Sequence, residues 1–156
     1  MTGTQVSPPS HQQIYETDFV EWIDKAAKLL KQGKFDELDI ENLVEEVESL
    51  GRSEKNALRS NLRVLLMHLL KWQYQSSKRT GSWKATIREH RKRLQYAFKD
   101  SPSLRNYYAA VIEESYKIAR ELAADETELD VNVFPAECPY TYTSKQILDD
   151  GYWPEN

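Results

Sequence analysis

A chain of 156 residues, 40% hydrophobic and 29% charged with a net charge of -4, is long enough for one domain to bury a core without a disulfide or a structural metal. Its lone Cys138 allows no intrachain disulfide, and neither a cationic-then-apolar leader nor a long apolar span occurs, which points to a reduced, cytoplasmic protein with no membrane role. Five scattered glycines rule out a phosphate-cradling P-loop, and the missing Gly-x-Ser-x-Gly elbow leaves nucleophilic catalysis unsupported.

Residues 1–13, with Pro8, Pro9 and small polar neighbours, read as a flexible leader, and a single helical domain is expected over 14–156. Thr17 is placed to cap a first helix near 17–32, whose inward stripe is Phe19, Val20, Ile23, Ala26, Ala27 and Leu30 and whose stop is Gly33. A second helix near 39–50 starts at Asp39, turns Leu43, Val47 and Leu50 inward and closes at Gly51. Glu46 lies about 60° from the centre of that face and is the acid best placed to reach inward.

Ser53 and Asn56 open a long third helix near 53–76 with the seam Leu58, Leu62, Leu65, Leu69 and Trp72. Its middle is apolar almost all round, as expected of a central helix. Glu54, Asn61, His68 and Gln75 follow one another at seven-residue spacing as a polar ridge beside the seam. A fourth helix near 82–99 turns Trp83, Ile87, His90, Leu94 and Phe98 inward, with Arg91 at the edge of the stripe and Lys84, Arg88, Lys92 and Lys99 opposite. Ser101-Pro102 announces a fifth helix near 102–125 with Leu104, Tyr108, Val111, Ser115, Ile118 and Leu122 facing in. The segment 128–156 loses periodicity but is rich in aromatic residues, so an irregular strap over the bundle is expected, with one helical turn at Ser144 to Leu148. The fold class is therefore all-α, a bundle of about five helices with a long central third helix.

Charge is segregated. Asp36 to Glu48 holds seven acids and no base, whereas Lys78 to Lys99 holds eight bases and one acid, a polarity that favours contact within the chain or between copies, or a local anion site. Ionisable groups beside apolar stripes need partners. Glu46, His68, Lys71 and Arg91 make one candidate cluster, a polar network between helices in which Arg91 forks onto a carboxylate. Glu46, His68 and His90 would make a second, a metal site for zinc, iron or manganese with a position left for water, although no helix carries a His-Glu-x-x-His or Glu-x-x-His run. Lys84, Arg88 and Lys92 along helix four form a third, contacting nucleic-acid phosphates.

The run Asp39-Ile40-Glu41-Asn42-Leu43, then Glu45-Glu46, Ser49-Leu50-Gly51-Arg52-Ser53-Glu54, His68-Leu69-Leu70-Lys71-Trp72, and Trp83 with Thr86-Ile87 and Arg91 resembles the bacterial, largely cyanobacterial family known as domain of unknown function 29. Tyr15 with Asp18-Phe19, Ser101-Pro102-Ser103-Leu104, Glu126-Thr127, and Phe134-Pro135 with Cys138-Pro139-Tyr140 extend the likeness over nearly everything after the leader. The resemblance implies a mainly helical, intracellular bacterial protein and supplies no activity; at the position of His90 the family pattern often has Gln. With no complete catalytic signature, the reading is a non-enzymatic protein-interaction or regulatory module with no cofactor, bound to a protein partner or to copies of itself. A metal-dependent hydrolase or nuclease and a nucleic-acid-binding protein are the alternatives.

Overall fold

The computed structural model describes residues 3–141 and 146–155. Among them are four α-helices and no strand: α1 (Phe19–Gln32), α2 (Ile40–Tyr74), α3 (Gly81–Asp100) and α4 (Leu104–Thr127). Short 3-10 turns lie at Gln12–Ile14, Phe35–Glu37, Ser76–Lys78 and Val131–Val133. Residues Ser144 and Lys145 of the expected C-terminal helical turn fall outside the described residues, and Gln146 to Leu148 form a turn.

The expected second and third helices are one. Gly51 does not stop α2, which runs for 35 residues, or about 52 Å at 1.5 Å per residue. A glycine inside a helix costs only about 1 kcal/mol, and with no proline nearby the ladder of hydrogen bonds passes through it. Arg52 reaches back along the same helix to Glu45 at 2.6 Å. Gly33 does stop α1: it adopts a left-handed conformation at φ 66°, and its N–H closes onto Leu29 and Leu30, a geometry that penalises any side chain. The caps also shift by a few residues. Asp18 rather than Thr17 accepts from Glu21 at the start of α1, and Thr80 accepts from the Trp83 N–H at the start of α3.

Two compact units divide the chain, Met1–Arg52 and Ser53–Asn156. Unit 1 contains α1 and the first part of α2 around a small cluster of Ala26, Leu29 and Leu38, with Leu43 against it. In unit 2, the second part of α2 supplies Leu58, Leu62, Leu65, Leu66, Leu69 and Leu70, all essentially without exposure. They pack in one core with Ile87, Leu94 and Phe98 of α3, with Tyr108, Ile112, Tyr116, Ala119 and Ala123 of α4, and with Phe134, Tyr140 and Ile147 beyond α4. Ala119 and Ala123 are fully buried because a small side chain lets a neighbouring element close in to contact distance.

Candidate functional site

Unit 1 is tied together by polar groups more than by its small apolar cluster. Trp22 is fully buried and its indole N–H donates to Asp39 Oδ2 at 3.0 Å. The Asn42 amide donates to the same oxygen at 2.7 Å and the Asn42 backbone N–H to Oδ1 at 3.3 Å. Asp39 is thus the cap of α2 and the acceptor for α1 at once. Burial alone would raise its pKa, but the hydrogen bonds from Asn42 and Trp22 outweigh that and hold the carboxyl below its ordinary value.

His11 completes this knot. The Asp39 backbone N–H donates to His11 Nδ1 at 2.9 Å, so Nε2 carries the proton and donates to the Trp22 carbonyl at 2.8 Å. The imidazole stacks on the Trp22 ring with centroids 5.1 Å apart. His11 lies within the stretch read as a flexible leader, yet it is buried. A helical-period search cannot detect it, since its signal is a single residue whose two nitrogens meet two backbone groups distant in sequence. Nearby, the Tyr15 hydroxyl donates to Glu46 at 2.6 Å; this bond, then burial, pushes the Tyr15 pKa up to about 12. Glu46 is half-buried, and its partner is a phenol of its own unit.

The apolar stripes of unit 1 have the period expected and a shifted phase: of the residues read as inward, Ala26 is buried and Leu43 packs against the cluster, but others face out. On α1 the buried positions are Trp22, Ala26 and Leu29, while Phe19, Val20, Ile23 and Leu30 are exposed. On α2, Val47 and Leu50, read as inward, are 61% and 69% exposed, and Ile40 and Val44 join them. Phe35 between the helices is exposed as well. A groove on this part of α2 is lined by Ile40, Leu43, Val44, Val47 and Glu48. Among the described residues, the longer unit 2 leaves only Tyr96, Leu122 and Val133 comparably exposed. Large apolar side chains in that number on so small a body are unusual for a surface without a partner.

In unit 2 the polar candidates take separate partners. Lys71 is buried, pairs with Glu126 of α4 at 2.5 Å, and stands over the Trp83 ring at 4.5 Å. His68 and His90 each bond through Nδ1 to the carbonyl one turn back, Val64 and Thr86, at 2.8 and 2.9 Å. In each ring Nδ1 is the donor to that carbonyl. Burial lowers the His68 pKa, and the Lys71 ammonium and His90 add to the lowering against the Val64 bond and the Glu126 charge.

Arg91 is fully buried and forks onto two carbonyls rather than a carboxylate: Nε donates to Ile147 at 2.9 Å and Nη2 to Gln146 at 3.2 Å. Its Nη1 and the indole N–H of Trp72 have no partner among the described residues. Burial lowers the Arg91 pKa against the opposing pull of Asp150 and Asp149. Of the basic residues on α3, Lys92 is taken by Asp150 at 2.7 Å, and Lys84 and Arg88 stand 5.7 Å from the Trp153 ring centre. Glu126 was not foreseen as the partner of Lys71, because a residue on an exposed helix turn 55 positions away carries no local signal of that pairing.

The structure thus places Glu46 in unit 1 with Tyr15, and His68, Lys71, His90 and Arg91 in unit 2 with partners of their own. Among the described residues, no group of three or more His, Cys, Asp or Glu side chains is arranged to hold a metal ion, and no helix is long and apolar enough to cross a membrane. No curated protein and no solved structure matches the chain. The family described as domain of unknown function DUF29 matches residues 14–153, and the chain belongs to that family.

Proposed function

We propose that the chain is a protein-interaction module whose docking surface is the exposed apolar face of unit 1. The observation that carries this reading is the set of nine large apolar side chains on α1, its following turn and the start of α2 at 44–70% exposure. They leave on the order of 800 Å² of apolar surface, about what one partner contributes to a standard interface. Scattered apolar residues are normal on a surface, but a face of this size is costly to keep in water unless something covers it.

The remaining candidates fit the same picture. Lys71 and Arg91 are engaged in contacts that hold α4 and the C-terminal residues in place, the role expected of polar groups that fix register, and His68 bonds within its own helix. The test is photo-crosslinking in living cells from a benzophenone side chain at position 20, 44 or 47, with position 113 on α4 as control. A discrete adduct from the face and none from the control is expected. Equal or absent crosslinking at all four positions would overturn the reading.

A further inference from the structure

We infer that residues 149–155 are a removable cover over a groove on α3 that takes single-stranded nucleic acid, a site in unit 2 independent of the unit 1 face. At about 100° per residue, Lys84, Arg88, Arg91 and Lys92 fall within about 100° of one another and make one basic stripe along α3. The C-terminal residues lie along that stripe. Arg91 forks onto the carbonyls of Gln146 and Ile147, and Lys92 pairs with Asp150 at 2.7 Å. Lys84, Arg88 and Arg91 stand 5.7, 5.7 and 5.6 Å from the centre of the Trp153 ring, and Arg79, just before α3, reaches the Pro154 carbonyl at 3.5 Å. From Asp150 to Pro154 the chain therefore runs from Lys92 back toward the N-terminal end of α3.

This cover leaves charge and donors unanswered. Of the cations along it only Lys92 meets a carboxylate; Arg79, Lys84, Arg88 and Arg91 have no ion pair among the described residues. Against Trp153 lie two buried donors without an acceptor among those residues: Nη1 of Arg91, and the indole N–H of Trp72, whose ring centre is 4.9 Å from that of Trp153. A buried donor left unpaired is costly, so the closed arrangement carries a penalty that is relieved when the cover lifts. Ile147 is fully buried in the core and stays as the anchor, whereas Asp149, Asp150 and Gly151 just beyond it are exposed.

The chemistry of the ligand follows from the cover. Residues 149–155 offer the stripe a carboxylate, a main-chain carbonyl and an indole ring, the counterparts of the phosphates and bases of a single strand. Both unpaired groups are donors, so what they lack is an acceptor-rich anion. A single strand repeats a phosphate and a ring at every unit, which suits a row of cations beside an indole better than an acidic peptide with few rings. With the cover lifted, phosphates meet Lys84, Arg88, Lys92 and the free edge of Arg91, and a base takes the place of the Trp153 ring beside Trp72.

Fluorescence anisotropy of the full chain with a labelled single-stranded RNA of about 12 nucleotides, at about 50 mM salt, tests this. The natural chain is expected to bind weakly, and the pair Asp150→Asn with Trp153→Ala, which unfastens the cover, to bind about tenfold tighter or more. The affinity of that pair should fall with salt at a log–log slope of about -3, as for four phosphates of a single strand. Adding Lys84→Glu and Arg88→Glu should return binding to the natural level, and a DNA strand of the same sequence shows which sugar the groove takes. Far-UV circular dichroism checks that helix content is kept. Asp150→Asn alone, at an exposed position, should tighten binding in the same direction without disturbing the core. Unfastened variants that bind no tighter than the natural chain, or a gain that survives the loss of Lys84 and Arg88, would overturn the inference. Tightened binding of polyglutamate with none of RNA or DNA would overturn it too, and would make the groove a dock for an acidic protein.

Discussion

Replacing His11 by alanine is expected to loosen unit 1 far more than its place in a polar N-terminal stretch suggests. The imidazole makes two buried hydrogen bonds, at 2.8 Å to the Trp22 carbonyl and 2.9 Å from the Asp39 N–H. Each is worth about 1 kcal/mol net, and the two backbone groups left behind lose their partners in a buried place. The stack on Trp22 adds about 0.5–1 kcal/mol. Together these give a loss of about 3 kcal/mol for His11→Ala, concentrated in unit 1. Hydrogen exchange read by mass spectrometry on peptides covering 19–32 and 40–52 measures it directly, with peptides covering 104–127 as internal reference. Deleting residues 1–9 should leave exchange unchanged, and deleting residues 1–12 should reproduce the alanine variant. A change below about 0.5 kcal/mol in the α1 peptides would refute the idea that His11 ties this unit together.

Arg91→Lys is expected to free the residues around Ile147, since an ammonium cannot reproduce the fork onto two carbonyls; the cost is about 2 kcal/mol, seen as faster proteolysis after α4 and a lower urea midpoint, and an unchanged cleavage pattern would count against it. His68 governs part of the acid response. Its proton affinity is lower in the folded chain than the ordinary value near 6.5, so the unfolded chain takes up the proton first, and stability is complete above about pH 6.5 and falls as pH drops through the lower folded value. Urea midpoints measured from pH 8 to 5 should decline for the natural chain and flatten in His68→Gln; parallel curves would show that His68 is not the group responsible.

Residues with strong local signals were legible in advance. The bounds of α3 and α4 lie within about two residues of those read from periodicity and caps, and the buried seam Leu58, Leu62, Leu65 and Leu69 follows the expected phase. Unit 1 shows why the same method fails elsewhere. Its α1 has apolar residues round more than half of its circumference, so the period identifies a helix without saying which sector is covered. Trp22 decides the matter, because its indole N–H needs an acceptor and Asp39 supplies one, a pairing between residues 17 apart that no local pattern contains. Gly51 misled for a related reason: the stop it provides is worth about 1 kcal/mol, and the helical turns on both sides outweigh it. In the polar cluster, His68 and Lys71 stood out as ionisable groups in an apolar run, but the choice of Glu126 as partner depends on how α4 lies against α2.

The core of unit 2 has a further consequence for how the protein is made. Leucines on nearly every side of the second part of α2 are covered in the finished fold by residues from three later segments, the last of them around Phe134, Tyr140 and Ile147. Synthesis proceeds from the N-terminus, so this stretch leaves the ribosome greasy all round and stays so until most of the remaining chain has followed. During that interval it is a natural ligand for chaperones that bind apolar helices, and a nascent chain stalled before residue 134 would be a substrate for quality control and not a smaller folded protein.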